Sequence, residues 1–214
     1  KGIGGVAAAW GANGTVAGSV AINGSLGTQT INVNANATAK AMADAINLQK
    51  GSTGVTATAR TELSLAFSTV GSYTLTLRSD NSGSQAASFT LSTNNTADGL
   101  AAGIAAINDQ SSKTGVTASL NSTGNAIIMI NSTGNDILVS DTTVANGGNV
   151  TVQKLDAAGD AVGLAVTLTG NVVADNAIVS GYVTLDSDKS FSVDVDATLT
   201  AFTDTPSTLK KVAE

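Results

Sequence analysis

"AINLQKGSTGVTATA" (residues 45–59) and "AINDQSSKTGVTASL" (residues 106–120) align without a gap, and nine of the fifteen positions are identical. Each phrase changes periodicity in its middle. Upstream of the first, Thr38 is a suitable N-cap, and Ala39, Met42, Ala43 and Ile46 fall on one stripe of a helix. Downstream, Val55, Ala57 and Ala59 alternate as in a strand, and Leu63, Leu65 and Phe67 do the same after a polar interval. "KGSTG" (residues 50–54) between them predicts the break of the helix. Before the helix, "GSVAI" (18–22) and "TINVN" (30–34) alternate around the turn sequence "NGSLG", which predicts a hairpin. The unit reads β-β-α-β-β.

The second phrase sits in the same order of elements. "YTLTL" (73–77), the turn "SDNSG" and the alternating Phe89 and Leu91 precede Thr96 as N-cap, and Asp98 stands in the first helical turn, where a carboxylate interacts favourably with the helix dipole. Leu100, Ile104 and Ile107 then form the apolar stripe, and Val116, Ala118 and Leu120 the following strand. Two apolar runs, "AIIMI" and "DILVS", each follow an "NSTGN" turn. From Asp141 onward no helical pattern appears until the C-terminus, and "NVTVQKL", "VGLAVTLTG", "AIVSGYVTL" and "SFSVDVDATLTAF" read as strands, the first two flanking the hairpin turn "DAAGD". The expected fold is α+β, mainly β: two tandem β-β-α-β(β) repeats with one short helix each, plus a small all-β antiparallel unit. The expected divisions are a connecting segment at 1–18, repeat units at 19–70 and 71–141, the all-β unit at 142–203 and a return segment at 204–214, which contains the only proline, Pro206. Ser207 is an N-cap for a helical start that runs to Glu214, and with no initiator Met or signal-peptide pattern at Lys1 the chain reads as an excerpt.

Composition removes much chemistry. The chain has no cysteine and no histidine, which excludes disulfides, thiol nucleophiles, Cys/His zinc sites and imidazole proton shuttles. Ten Lys and Arg against sixteen Asp and Glu, with no basic cluster, leave no positive face for nucleic acid. No apolar run is long enough for a transmembrane helix. Aromatic residues make up only 3%, so cores built from Ala and Val are thin, and units of about 60 residues are expected to stack on one another.

A helix closing on Ala-Ile-Asn, a polar turn and then Thr-Gly-Val-Thr-Ala resembles the IN motif of bacterial flagellins and hook-associated proteins. The resemblance covers roughly residues 20–67 and 73–139 and is carried by Ile46, Asn47, Gly54, Val55, Thr56 and Ala57 and by Ile107, Asn108, Gly115, Val116, Thr117 and Ala118. It implies the central, surface-exposed outer region of an extracellular filament subunit that supports motility. It also implies that polymerisation with other flagellin subunits belongs to terminal helices not contained in these residues. On this reading Lys1 and Glu214 are expected on one side of the molecule. A hook-associated or cap protein carries the same motif, and an adhesin-like extracellular binding module is the reading from another class.

The repeated residues themselves are explained by packing and turn geometry: isoleucine completes the stripe, asparagine turns the helix end by tolerating a left-handed conformation, glycine permits the reversal, and Val55 and Val116 enter a core. No catalytic, cofactor or metal residue is assigned. Asp186, Asp188, Asp194 and Asp196 gather near one hairpin but lack the spacing of a calcium loop. The two glutamates, Glu62 and Glu214, are not set among aromatic residues as a glycosidase pair requires, and Trp10 lies in an Ala/Gly-rich stretch. Bacterial flagellins are often O-glycosylated, and Ser122, Thr123, Ser132 and Thr133 in the twin turns offer hydroxyls; Asn13, Asn94 and Asn149 open Asn-x-Ser/Thr triplets.

Overall fold

The computed structural model describes residues 2–5 and 10–195. In chain order its elements are β1 (Gly2–Gly5), β2 (Gly18–Asn23), β3 (Thr28–Val33), α1 (Ala39–Leu48), α2 (Lys50–Thr53), β4 (Thr56–Phe67), β5 (Gly71–Arg78), β6 (Gln85–Leu91), α3 (Ala97–Asn108), α4 (Ser111–Thr114), β7 (Val116–Leu120), β8 (Ile127–Asn131), β9 (Ile137–Ser140), β10 (Val150–Lys154), β11 (Val166–Leu168), β12 (Asn176–Val179), β13 (Tyr182–Asp186) and β14 (Ser192–Val195). The fold is α+β and mainly β, with all strand pairings antiparallel.

Local signals fold as their chemistry dictates. The β2–β3 hairpin pairs Gly18 with Val33 through Asn23 with Thr28. Thr38 accepts a hydrogen bond from Ala41 N, and Thr96 accepts one from Gly99 N, so both N-caps are made by threonine hydroxyls. The buried stripe of α1 is Ala39, Met42, Ala43 and Ile46. On α3 the buried residues are Gly99, Leu100, Gly103 and Ile107, with Ile104 partly buried against the same core. Gly103 lets the helix approach closely: a Cβ there would lie 3.0 Å from Ile127 Cδ1 and 3.2 Å from the Phe89 ring.

Two cores result. The larger lies between the sheets β1-β12-β9-β5-β6 and β11-β10-β4-β8-β7, with α3 packed alongside. It contains Leu63, Leu65, Phe67, Tyr73, Leu75, Leu77, Ile127, Met129 and Val152, and Phe67 meets Tyr73 edge-on at 5.0 Å. The smaller core joins α1 to the sheet β14-β2-β3 and to the first half of β4 and contains Val20, Ile22, Ile46 and Val55.

Three features differ from the sequence reading. Where alternation at 55–59 and at 63–67 suggested two strands, β4 is one strand of 12 residues. Thr61 is fully buried within it, so the inward alternation continues through the polar interval. Thr56–Arg60 pair with β13 beside the smaller core, and Leu63–Phe67 pair with β10 inside the larger one. The segment "KGSTG" does not simply break the helix: Lys50–Thr53 forms the single turn α2, repeated as α4. Finally, the strands after Asp141 are shared out. β10, β11 and β12 complete the large sandwich, β13 adds to β4 and β14 adds to β2. "AIVSGYVTL" therefore splits at Ser180-Gly181, where the chain passes from one core to the other. The expectations for Pro206, the helical start at Ser207, Asp196, Glu214 and the proximity of Lys1 to Glu214 lie outside the described residues.

Candidate functional site

The repeated phrase builds the same junction twice. Ile46 and Ile107 are buried at the ends of α1 and α3, in the smaller and the larger core respectively. The asparagine that follows faces the strand ten residues on. Asn47 Nδ2 donates to Ala57 O at 2.8 Å, and Ala57 N donates to Asn47 Oδ1 at 2.8 Å. In the second copy Asn108 Nδ2 donates to Ala118 O at 2.9 Å and Ala118 N donates to Asn108 Oδ1 at 2.7 Å. A side-chain amide thus pairs with a backbone peptide as a neighbouring strand would. β7 is an edge strand of its sheet, and Asn108 occupies backbone groups that an open edge would leave unpaired.

This corrects the left-handed role expected of asparagine. The left-handed residues are Gly54 (φ +76°) and Gly115 (φ +70°), whose N–H groups donate to Lys50 O and Ser111 O at 2.8 Å. Glycine suffers no Cβ penalty there. Val55 and Val116 follow with no exposure, Ala57 and Ala118 are buried, and Thr56 Oγ1 donates to Asp186 O at 3.2 Å while Thr117 is exposed.

A second pair of bonds recurs at each junction. Thr53 Oγ1 donates to Gln49 O at 3.0 Å and accepts from Val55 N at 3.1 Å; Thr114 Oγ1 donates to Gln110 O at 3.0 Å and accepts from Val116 N at 3.2 Å. Gln49, Thr53, Gln110 and Thr114 belong to the identical positions of the two phrases, so the signal was present in the repeat itself. The preceding hairpin turn seals each junction: Asp80 N donates to Thr114 O at 3.0 Å, and the backbone of Leu26 approaches Thr53 O at 3.5 Å. The amide oxygen and nitrogen of both asparagines are engaged within the fold, so the arrangement closes a helix onto a strand.

Between the two cores lies a buried polar layer that the sequence did not reveal. Asn13, with no exposure, donates to Asp136 Oδ2 at 2.8 Å and Ala37 O at 3.0 Å, and its Oδ1 accepts from Thr15 N. Ser79 Oγ donates to Asp136 O, Asn131 Nδ2 donates to Ser79 Oγ, and Lys154 Nζ donates to Ser180 Oγ and Gly181 O. Burial pushes the Asp136 carboxyl up to about 6, opposed by the Asn13 hydrogen bond and the Lys154 charge. Burial likewise lowers the Lys154 ammonium from its ordinary value. Trp10 stacks on Arg78, with the guanidinium 4.4 Å from the ring centroid.

Asp194 Oδ2 accepts from Asn23 Nδ2 at 2.8 Å, and Glu62 meets Arg60 at 3.2 Å. Among the described residues no group of three or more His, Cys, Asp or Glu is arranged to hold a metal. Ser122, Thr123, Ser132 and Thr133 are exposed, as is Asn149, whereas Asn94 donates to Phe67 O at 2.9 Å. The buried Asn13 has no room for a glycan. Among the described residues no helix is long and apolar enough to cross a membrane. No curated protein matches the chain. Residues 19–81, which run from β2 to just beyond β5 and include the first junction, match the family model of the flagellin hook IN motif, and on that match the chain carries a flagellin-type module.

Proposed function

We propose that these residues form the surface-exposed outer region of a flagellin: a structural component of the bacterial flagellar filament that supports motility and performs no catalysis. The observation that carries this reading is the match at residues 19–81. The repeated junction supports it, because the hydrogen bonds of Asn108 and Thr114 reproduce those of Asn47 and Thr53, so 71–141 reads as a second copy of the module at 19–70. Assembly with other subunits, mainly through terminal helices outside these residues, and O-glycans on exposed Ser or Thr belong to the same proposal, as does an extracellular location. The matched model's description also names the hook, which favours an outer domain of a hook-associated protein as the second reading.

The complete gene tests the proposal. Long heptad-patterned segments before Lys1 and after Glu214 are expected, because subunits of a helical filament core need them. A gene without such segments on either side would overturn it.

A further inference from the structure

The smaller core is built on the same plan as the larger one. β2, β3, α1, α2 and the first half of β4 correspond in order to β5, β6, α3, α4 and β7, while β13 and β14, joined through 187–191, correspond to β8 and β9, joined through the equally long 132–136. The pairings agree as well: β14 adds to β2 as β9 adds to β5, and β13 adds to β4 as β8 adds to β7, all antiparallel. α1 packs on β3 and β4 where α3 packs on β6 and β7, so a helix closes one side of each unit. The opposite sides differ. In the larger unit β12 covers the outer edge of β9 and the second half of β4 covers that of β8, and Ile127, Met129, Ile137 and Val139 are fully buried. Among the described residues β14 pairs only with β2 and β13 only with β4. Val183, Leu185, Phe191, Val193 and Val195 accordingly stay half-buried at the margin of the smaller core.

We propose that the open edge of β14 accepts an extended strand of another protein, one that alternates aliphatic residues with Lys or Arg. The incoming strand takes the place that β12 takes beside β9: its backbone pairs with the free N–H and C=O groups of β14, and its aliphatic side chains cover Val193, Val195 and Leu185. Charge selects the other face of that strand. Asp186, Asp188 and Asp194 are exposed along the two edges, and the only cation within 182–195 is Lys189. Arg60, opposite Tyr182 on β4, is already held by Glu62. Asp194 points to the outer face of β14, where every second side chain of an added strand lies beside it, so lysine or arginine there is favoured and a like charge opposes pairing. A second copy of β14 would bring acid against acid, which argues against self-pairing at this edge. The site follows from the internal repeat and does not depend on the flagellar reading.

NMR titration of the isotopically labelled 214-residue chain with three synthetic octapeptides tests the site: one alternating valine with lysine, one with the same residues in two blocks, and one alternating valine with glutamate. The alternating valine–lysine peptide should bind with Kd below about 1 mM and shift the amide signals of residues 182–186 and 192–195. The block peptide and the valine–glutamate peptide should bind at least tenfold more weakly. Asp194→Lys, at an exposed position, should weaken the valine–lysine peptide at least fivefold and strengthen the valine–glutamate one, with signals away from β14 unchanged. No shift at β13 and β14 would overturn the proposal, as would equal binding of the alternating and block peptides, which would mean attraction by net charge alone. Signals of β14 that move with the concentration of the chain itself, without peptide, would make a second copy the occupant and overturn it too.

Discussion

Replacing Asn108 by alanine removes both hydrogen bonds that tie the end of α3 to the backbone of Ala118. The peptide groups of Ala118 lie on the side of β7 away from β8, and Ala118 is 9% exposed, so water replaces the lost amide only in part. Each net hydrogen bond is worth about 1 kcal/mol, and an unsatisfied buried group costs about 1–3 kcal/mol, which sums to a loss of about 2–3 kcal/mol for Asn108→Ala. Asn47 is exposed, so Asn47→Ala should cost less, about 1–2 kcal/mol. Because the two junctions serve different cores, the losses should add in the double variant. Urea denaturation followed by circular dichroism measures this as a shift in midpoint at constant slope. Asn108→Asp is the control: it still accepts from Ala118 N but cannot donate to Ala118 O, and it should recover less than half of the loss. If Asn108→Ala changed stability by less than about 0.5 kcal/mol, the amide would not be fastening helix to strand and the account of the repeat would be wrong.

Thr114→Val keeps the shape of the side chain but takes the acceptor from the buried Val116 N–H, while the Gln110 carbonyl keeps its bonds from Lys113 N and Thr114 N, so it should destabilise by about 1–3 kcal/mol in the same assay, whereas Thr114→Ser should cost less. Gly134 has φ +84°, and a Cβ would sit 2.4 Å from Ala59 Cβ and 3.0 Å from Ala59 C; Gly134→Ala should therefore lose about 2–3 kcal/mol and lower the melting temperature. Asp136 carries a folded-state pKa of about 6 against an ordinary 3.8. Its folded form thus holds the proton more tightly than its unfolded form, so its contribution to stability is fully present below 3.8 and is lost as pH rises through 6. The shift corresponds to about 3 kcal/mol at most. Melts across pH 4–7.5 should show this gain on acidification, and Asp136→Asn should flatten it.

What was legible in the sequence is what neighbouring residues decide. Thr38 and Thr96 announce their caps, the turn "NGSLG" its hairpin and Met42–Ile46 their stripe, because each depends on residues within one or two turns of chain. The long strand β4 was hidden by Arg60, Thr61 and Glu62, which look like the polar end of a strand. In the fold Thr61 points inward between the two cores while Arg60 and Glu62 pair on the other face. Pairings of β13 with β4 and of β14 with β2 span more than a hundred residues and leave no mark in either strand alone. The role of Asn47 and Asn108 was legible as a repeat but not as a bond, since the partner peptide lies ten residues away and any side chain leaves that peptide in place. Asn13 stood out only as the start of an Asn-x-Thr triplet, which gives no sign of burial. Its burial arises only when residues 13–15, the start of α1, and Asp136 meet between the cores.

Immunogold electron microscopy of flagellated cells, with antibody raised against residues 10–195, tests the structural role most directly. Gold along the whole length of the filament is the predicted result. Label confined to the hook or the filament tip would assign the chain to a hook-associated protein instead, and flagella without label from hook to tip would contradict the account.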